Sequence, residues 1–153
     1  MFWLFTLLGC SSDVMDFSGG VGGSSFTPLT GFFGGEYIIF FNEVIDCKEM
    51  YWVTKIYRNG DAPYDSTIKA FQVTYNDSSV VEGTYSVGGE APITAQFLDI
   101  AGDSFSTTRA TDGSIIVNEV LEESTVDGTF AFAFGEDTME GSFNVSWCTN
   151  LVH

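Results

Sequence analysis

The stretch that decides the fold is Thr125-Val-Asp-Gly-Thr-Phe-Ala-Phe-Ala-Phe134, Gly135-Glu-Asp137, then Thr138-Met-Glu-Gly-Ser-Phe-Asn-Val-Ser-Trp147, closed by Cys148. Val126, Phe130, Phe132 and Phe134 share one parity. Thr125, Asp127, Thr129, Ala131 and Ala133 take the other. After the turn, Met139, Phe143, Val145 and Trp147 face one way. Thr138, Glu140, Ser142, Asn144 and Ser146 face the other. A period of two is that of a strand, with alternate side chains on opposite faces. The pair reads as a β-hairpin with its aromatic face inward and its polar face in water. A slip of one residue would expose every ring, so the register is expected to be fixed.

Working outward, the same period recurs less cleanly. Candidate strands are Glu36–Ile45, Trp52–Arg58, Thr67–Tyr75, Val80–Val87, Ile93–Ile100, Phe105–Arg109 and Ser114–Leu121. Turn formers separate them: Asn59-Gly60-Asp61, Asn76-Asp-Ser-Ser79, Gly88-Gly89, Gly102-Asp103 and Asp112-Gly113. The last predicts a two-residue hairpin in which Gly takes positive φ. Asp46–Met50 predicts a short helical turn, and Glu122-Glu123-Ser124 a loop. The chain is therefore expected to be all-β, an antiparallel β-sandwich or barrel-like sandwich of about eight or nine strands. Gly83-Thr-Tyr85, Gly128-Thr-Phe130 and Gly141-Ser-Phe143 share a Gly-hydroxyl-aromatic pattern. It suggests a Gly where strands crowd, followed by an inward ring.

With its terminal Trp147-Cys148, the hairpin resembles the C-terminal hairpin of uncharacterised bacterial lipoproteins, myxobacterial ones among them. In these a Gly-Thr-Phe strand, an acidic or Gly turn and a Gly-Ser-Phe strand finish at a Cys. An earlier strand followed by a Cys (Ile38–Cys47) and the Gly83–Tyr85 segment fit as well. The likeness covers about residues 36–149. Its motifs are structural, so it carries over no functional residue.

The N-terminus points the same way. Met1-Phe-Trp-Leu-Phe-Thr-Leu-Leu-Gly-Cys10-Ser-Ser resembles the end of a bacterial lipoprotein signal, with Leu7 three before Cys10 and a small Gly9 just before it. Residues 1–9 are read as signal, and Cys10 as the lipidated residue. Residues 10–35, with seven Gly and five Ser, read as a flexible tether whose Phe26, Phe32 and Phe33 could dock on the domain and order its last part. Residues 36–153 are read as the β-sandwich domain. Secretory signals run about 15–30 residues with a basic start, so a start further upstream is expected. The apolar opening is too short for a transmembrane helix, which needs about 20 residues. The expected location is the bacterial cell envelope, lipid-anchored at the outer membrane. Ser11 after the Cys, not Asp, suggests that membrane by analogy with enteric sorting.

Five Lys plus Arg against 21 Asp plus Glu give a net charge of −16. Such a surface repels phosphate backbones, so no nucleic-acid partner is expected. It also repels anionic headgroups, which leaves the anchor as the membrane contact. Hydrophobic residues at 44%, with 15 Phe, exclude a disordered chain. With Cys10 lipidated, Cys47 and Cys148 remain as an even pair in an oxidising compartment, and a disulfide is expected between them. A metal site is the competing reading. It is poor, because the sole His is the terminal His153 and neither Cys has a CxxC neighbour.

Chemistry is sparse. His153 cannot plausibly serve a nucleophilic triad, so no catalytic residue is named and a non-enzymatic protein is expected. Glu119, Glu122 and Glu123 form the densest acid cluster and read as an exposed loop. Calcium is the only cofactor considered, with Asp61, Asp65, Asp99 and Asp103 in oxygen-rich turns. Ordinary Asx turns explain these better. Trp52, Tyr57 and Tyr64, near Tyr51, could stack on a glycan, although core packing is the commoner fate of such rings. Two classes of function remain: a binding or structural module whose partner is a glycan or an envelope protein, and a carbohydrate-binding or calcium-dependent, glycan-acting protein of sandwich fold. The first is favoured.

Overall fold

The computed structural model describes residues 14–49, 68–88, 92–101 and 104–151. Strands β1 to β4 are Val14–Val21, Ser24–Phe26, Thr30–Gly34 and Tyr37–Phe41. Strands β5 to β8 are Ile68–Tyr75, Gly83–Ser86, Ile93–Ala101 and Ser104–Arg109. Strands β9 to β11 are Asp112–Leu121, Thr125–Phe134 and Asp137–Trp147. Short 3-10 turns cover Cys47–Glu49 and Thr149–Leu151. The expected all-β class is what the chain forms. The strand expected over Trp52–Arg58 lies outside the described residues.

The β10–β11 hairpin has the register that its alternation demands. Val126 lies opposite Val145, Gly128 opposite Phe143, Phe130 opposite Gly141 and Phe132 opposite Met139. The intervening Gly135 takes φ 68°, which glycine accepts without a Cβ clash. On these strands Val126, Phe130, Phe132, Phe134, Met139, Phe143 and Val145 are all buried.

The strands form one curled sheet in the order β6-β9-β10-β11-β3-β4-β5-β7-β8, with β1 on β11 and β2 on β1. Every pairing among the described residues is antiparallel except β3 with β11, where Phe32 lies opposite Ser146 and Phe33 opposite Trp147. The sheet is therefore mixed. β11 is its corner: residues 139–144 carry β1 on the free edge, and residues 146–147 carry β3. The two halves fold over a common aromatic core. Phe71 of one half meets Phe130 of the other at 5.2 Å between ring centres, and Phe40 meets Phe143 at 5.6 Å, edge to face. Offset and edge-to-face rings are the arrangements the ring quadrupole favours.

The tether expected over residues 10–35 is corrected by the sheet. Residues 14–21, 24–26 and 30–34 are strands. Phe17 is the reason: it wedges between Phe40 at 4.9 Å and Phe130 at 4.8 Å, edge-on to both. Val21, Phe26 and Phe33 are buried with it. Gly22 and Gly23, with φ of 61° and 83°, make the turn between β1 and β2. The glycines serve a hairpin here.

The hairpin expected at Asp112-Gly113 is corrected too. β8 pairs with β7, whereas β9 pairs with β6 and β10. The chain crosses between the halves instead: Ala110 N–H donates to Ala95 of β7, and Thr111 N–H to Ala133 of β10. Gly113 still has positive φ, 117°, and a Cβ there would strike the Ala131 carbonyl.

A second, smaller cluster lies on the outer face of β3, β4, β5 and β7. Phe32, Ile39, Phe41, Ile68, Leu98, Cys148 and Leu151 belong to it. Ile38 and Phe40 serve the main core, so β4 is buried on both faces and does not alternate. The expected disulfide is present: Cys47 and Cys148 are bonded, with Cα atoms 5.5 Å apart. It ties the 3-10 turn at 47–49 to the one at 149–151 across this outer cluster. The helical turn expected at 46–50 is that first 3-10 turn.

Candidate functional site: a cleft at Trp147

The parallel join of β3 and β11 leaves a cleft of about 520 Å³ at one end of the sheet. Phe33, Val80, Val120 and Trp147 give it apolar walls, and Glu82, Glu122 and Glu123 stand around them. Trp147 is half-buried, and its ring meets Phe33 edge-on at 5.3 Å. Local bonds hold the walls. Trp147 N–H donates to Ser124 O at 2.8 Å, closing β11 against the 122–124 turn. Val80 N–H donates to Gly35 O at 2.9 Å, drawing the segment before β6 over the β3–β4 turn. Val120 N–H donates to Glu82 Oε1 at 3.2 Å, which ties one wall to the other. Glu123 sits at φ 55°, a left-handed conformation uncommon outside glycine and paid here by the tight turn it completes.

Two tyrosines, Tyr75 at the end of β5 and Tyr85 on β6, meet beside the cleft segment. The Tyr75 and Tyr85 rings meet edge to face at 5.0 Å. Tyr85 O–H donates to Glu82 O at 2.9 Å, which helps shape the segment that carries Glu82. The buried Tyr75 hydroxyl has no hydrogen-bond partner among the described residues. Burial, and secondarily the neighbouring Tyr85, push its ionisation well above the usual phenol range.

The opposite end of the sheet has a more open polar depression of about 460 Å³ between the β1–β2 and β10–β11 turns. There the Gly22 N–H donates to Asp137 Oδ2 at 2.9 Å.

The residues singled out in the sequence fall unevenly. Cys10, Trp52, Tyr57, Tyr64, Asp61, Asp65 and Asp103 lie outside the described residues. Asp99 is within β7, opposite Lys69 on one side and Ser106 on the other, so it belongs to a ladder and not to a turn. Among the described residues no three His, Cys, Asp or Glu side chains gather at a point that could hold a metal ion. Glu122 and Glu123 are exposed in a turn, as their sequence suggests, whereas Glu119 is on β9 opposite Asp127. Sequence reasoning missed the cleft itself. Once the β10–β11 register is fixed, Thr125 must face Ser146, and the Glu122-Glu123-Ser124 turn must then abut Trp147. That was the available signal. Glu82 and Phe33 reach the cleft through long-range pairings that no local pattern encodes.

The profile of a family described as Domain of unknown function (DUF6252) matches residues 65–149. No curated protein and no solved structure matches the chain.

Proposed function

The chain belongs to the DUF6252 family, and from that premise we propose that it is an exported, lipid-anchored, non-enzymatic binding module of the bacterial cell envelope. The observation that carries the reading is the cleft at Trp147, whose apolar walls are rimmed by three glutamates. A small set of polar groups around an apolar recess is the usual composition of a ligand site. The Cys47–Cys148 bond supports export, since such bonds persist in oxidising compartments. The lipobox-like Leu7-Leu-Gly-Cys10 supports the anchor. Val14, four residues after Cys10, pairs with Asn144, three residues before Trp147 on β11. Four residues span at most about 14 Å, so the anchor holds the cleft end of the sheet near the bilayer.

Mass spectrometry of the protein from the membrane fraction tests the location. The expected product begins at a diacylglyceryl-modified Cys10 and carries one disulfide. An unmodified Cys10 with two free thiols at 47 and 148 would refute it. Glycan and peptide arrays, with and without calcium, test the binding. A second reading, glycan binding, is favoured by the half-buried Trp147 ring, whose face could stack on a sugar while the carboxylates accept its hydroxyls.

A further inference from the structure

We propose that the occupant of the Trp147 cleft is a cationic peptide segment, one carrying lysine or arginine beside aliphatic residues. The inference rests on reading the cleft as a binding site. The walls come first: Val81, Val120 and the indole of Trp147, backed by the buried Phe33 and Val80, would take aliphatic side chains or the methylene stem of a lysine. An ammonium or guanidinium group near the indole gains from the ring's quadrupole. The rim comes second. Glu82 stands on one wall, Glu122 and Glu123 on the other, and no Lys or Arg among the described residues lines the cleft. Of the described cations, Lys69 Nζ donates to Ser25 O at 3.4 Å, and Lys48 and Arg109 belong to the 47–49 turn and β8. The Val120 N–H bond to Glu82 Oε1 fixes that carboxylate at the rim, so little ordering is left for a ligand to impose.

The field of the whole chain comes third. A net charge of −16 steers cations toward the surface and raises their rate of encounter. A neutral sugar would gain from the indole and from hydroxyl bonds to the carboxylates, but nothing from that long-range field. The observations therefore favour the cation.

Isothermal titration calorimetry on the full chain, with its disulfide intact, tests this. The probe is a capped octapeptide alternating Lys and Leu, beside a Glu/Leu counterpart and a neutral oligosaccharide. Only the Lys/Leu peptide is expected to bind, and its affinity should fall about tenfold between about 0.05 and 0.5 M salt as the charges are screened. The Glu122→Gln/Glu123→Gln variant changes two exposed turn residues and leaves the fold alone. It should bind about five- to tenfold more weakly. The Glu136→Gln/Glu140→Gln variant, at the far end of the sheet, should bind as the parent does. Equal weakening in both variants, equal binding of the Glu/Leu peptide, or no binding of the Lys/Leu peptide would each overturn the proposal. If the oligosaccharide binds and the basic peptide does not, the cationic occupant falls while the binding module stands. If neither binds, both fall.

Discussion

Phe143 lies directly across the ladder from Gly128, its Cζ 3.0 Å from where a Cβ on that glycine would sit. The arrangement is reciprocal, since Phe130 lies across from Gly141. The Phe143 ring covers Gly128, whereas Phe17 of β1 crowds Gly141. The backbone closes in from the other side: a Cβ on Gly128 would strike the Ile116 carbonyl, and one on Gly141 would strike Phe17 Cβ and the Asp16 carbonyl.

That crowding makes a prediction for Gly128→Ala and Gly141→Ala. Each methyl would have to displace backbone, and overpacking of this kind costs about 1–3 kcal/mol. Urea denaturation should show a lower midpoint with an unchanged slope. Gly135→Asn is the contrast. Its Cβ position meets nothing within 4 Å, and Asn tolerates the left-handed turn, so a change within about 0.5 kcal/mol is expected. Equal stability of all three variants would show that the strands have room to spread.

Phe17 tests whether residues 14–21 are structure or tether. It is 7% exposed and touches rings of both halves of the sheet. Phe17→Ala should cost about 3–5 kcal/mol, as removal of a buried ring does. Native-state hydrogen exchange should show the β1 amides that pair with β11 protected nearly as well as those of β10. A negligible cost with fast exchange would return the segment to the role its Gly and Ser content suggests.

Tyr75 predicts a pH effect with a definite sign. In the unfolded chain a tyrosine ionises near pH 10. In the fold, burial and then Tyr85 hold the Tyr75 hydroxyl neutral well above that. Above pH 10 the unfolded state therefore binds fewer protons than the folded one, and stability falls as pH rises. Tyr75→Phe removes a buried hydroxyl that has no partner among the described residues. The variant should match or exceed the parent at pH 7 by about 0–1 kcal/mol, and its stability should decline less steeply above pH 10. A loss of more than about 1 kcal/mol at pH 7 would mean that the hydroxyl has a partner after all.

What the sequence made legible is what short-range physics controls. The β10–β11 hairpin, its turn and its register follow from period-two alternation, because a slip would expose Phe130, Phe132 and Phe143 together. Six further strands from Tyr37–Phe41 to Asp112–Leu121, β4 to β9, sit on expected segments, apart from shifted ends. Residues 14–34 were misread because Gly19-Gly-Val-Gly-Gly23 has linker composition. Composition does not register that Phe17, Val21 and Phe26 fall where a core can take them. Asp112-Gly113 carried the turn conformation but not the partner, since a positive φ fixes a local bend and not which strand lies beyond it. The cleft was invisible for a related reason. It exists because β3 runs parallel to the last residues of β11, and that is a contact between residues more than a hundred positions apart.

The Cys47–Cys148 bond closes that same long-range join, which makes its removal informative. Cys148 N–H donates to Phe33 O at 2.9 Å, and Phe33 pairs with Trp147, so the bond sits directly behind the cleft. It spans 101 positions, and the chain-entropy estimate for such a loop is about 4–5 kcal/mol. Reduction, or the Cys47→Ala/Cys148→Ala variant, should lower the urea midpoint and, with it, the unfolding free energy by an amount of that order. It should also release the outer cluster of Phe32, Phe41 and Leu151, which the two 3-10 turns cap. Hydrogen exchange would then quicken at β3 and β4 before β10, because the Phe130–Phe143 side of the core does not depend on the bond. Uniform quickening along all strands would indicate one cooperative unit, and an unchanged midpoint would mean that the aromatic core alone sets the stability.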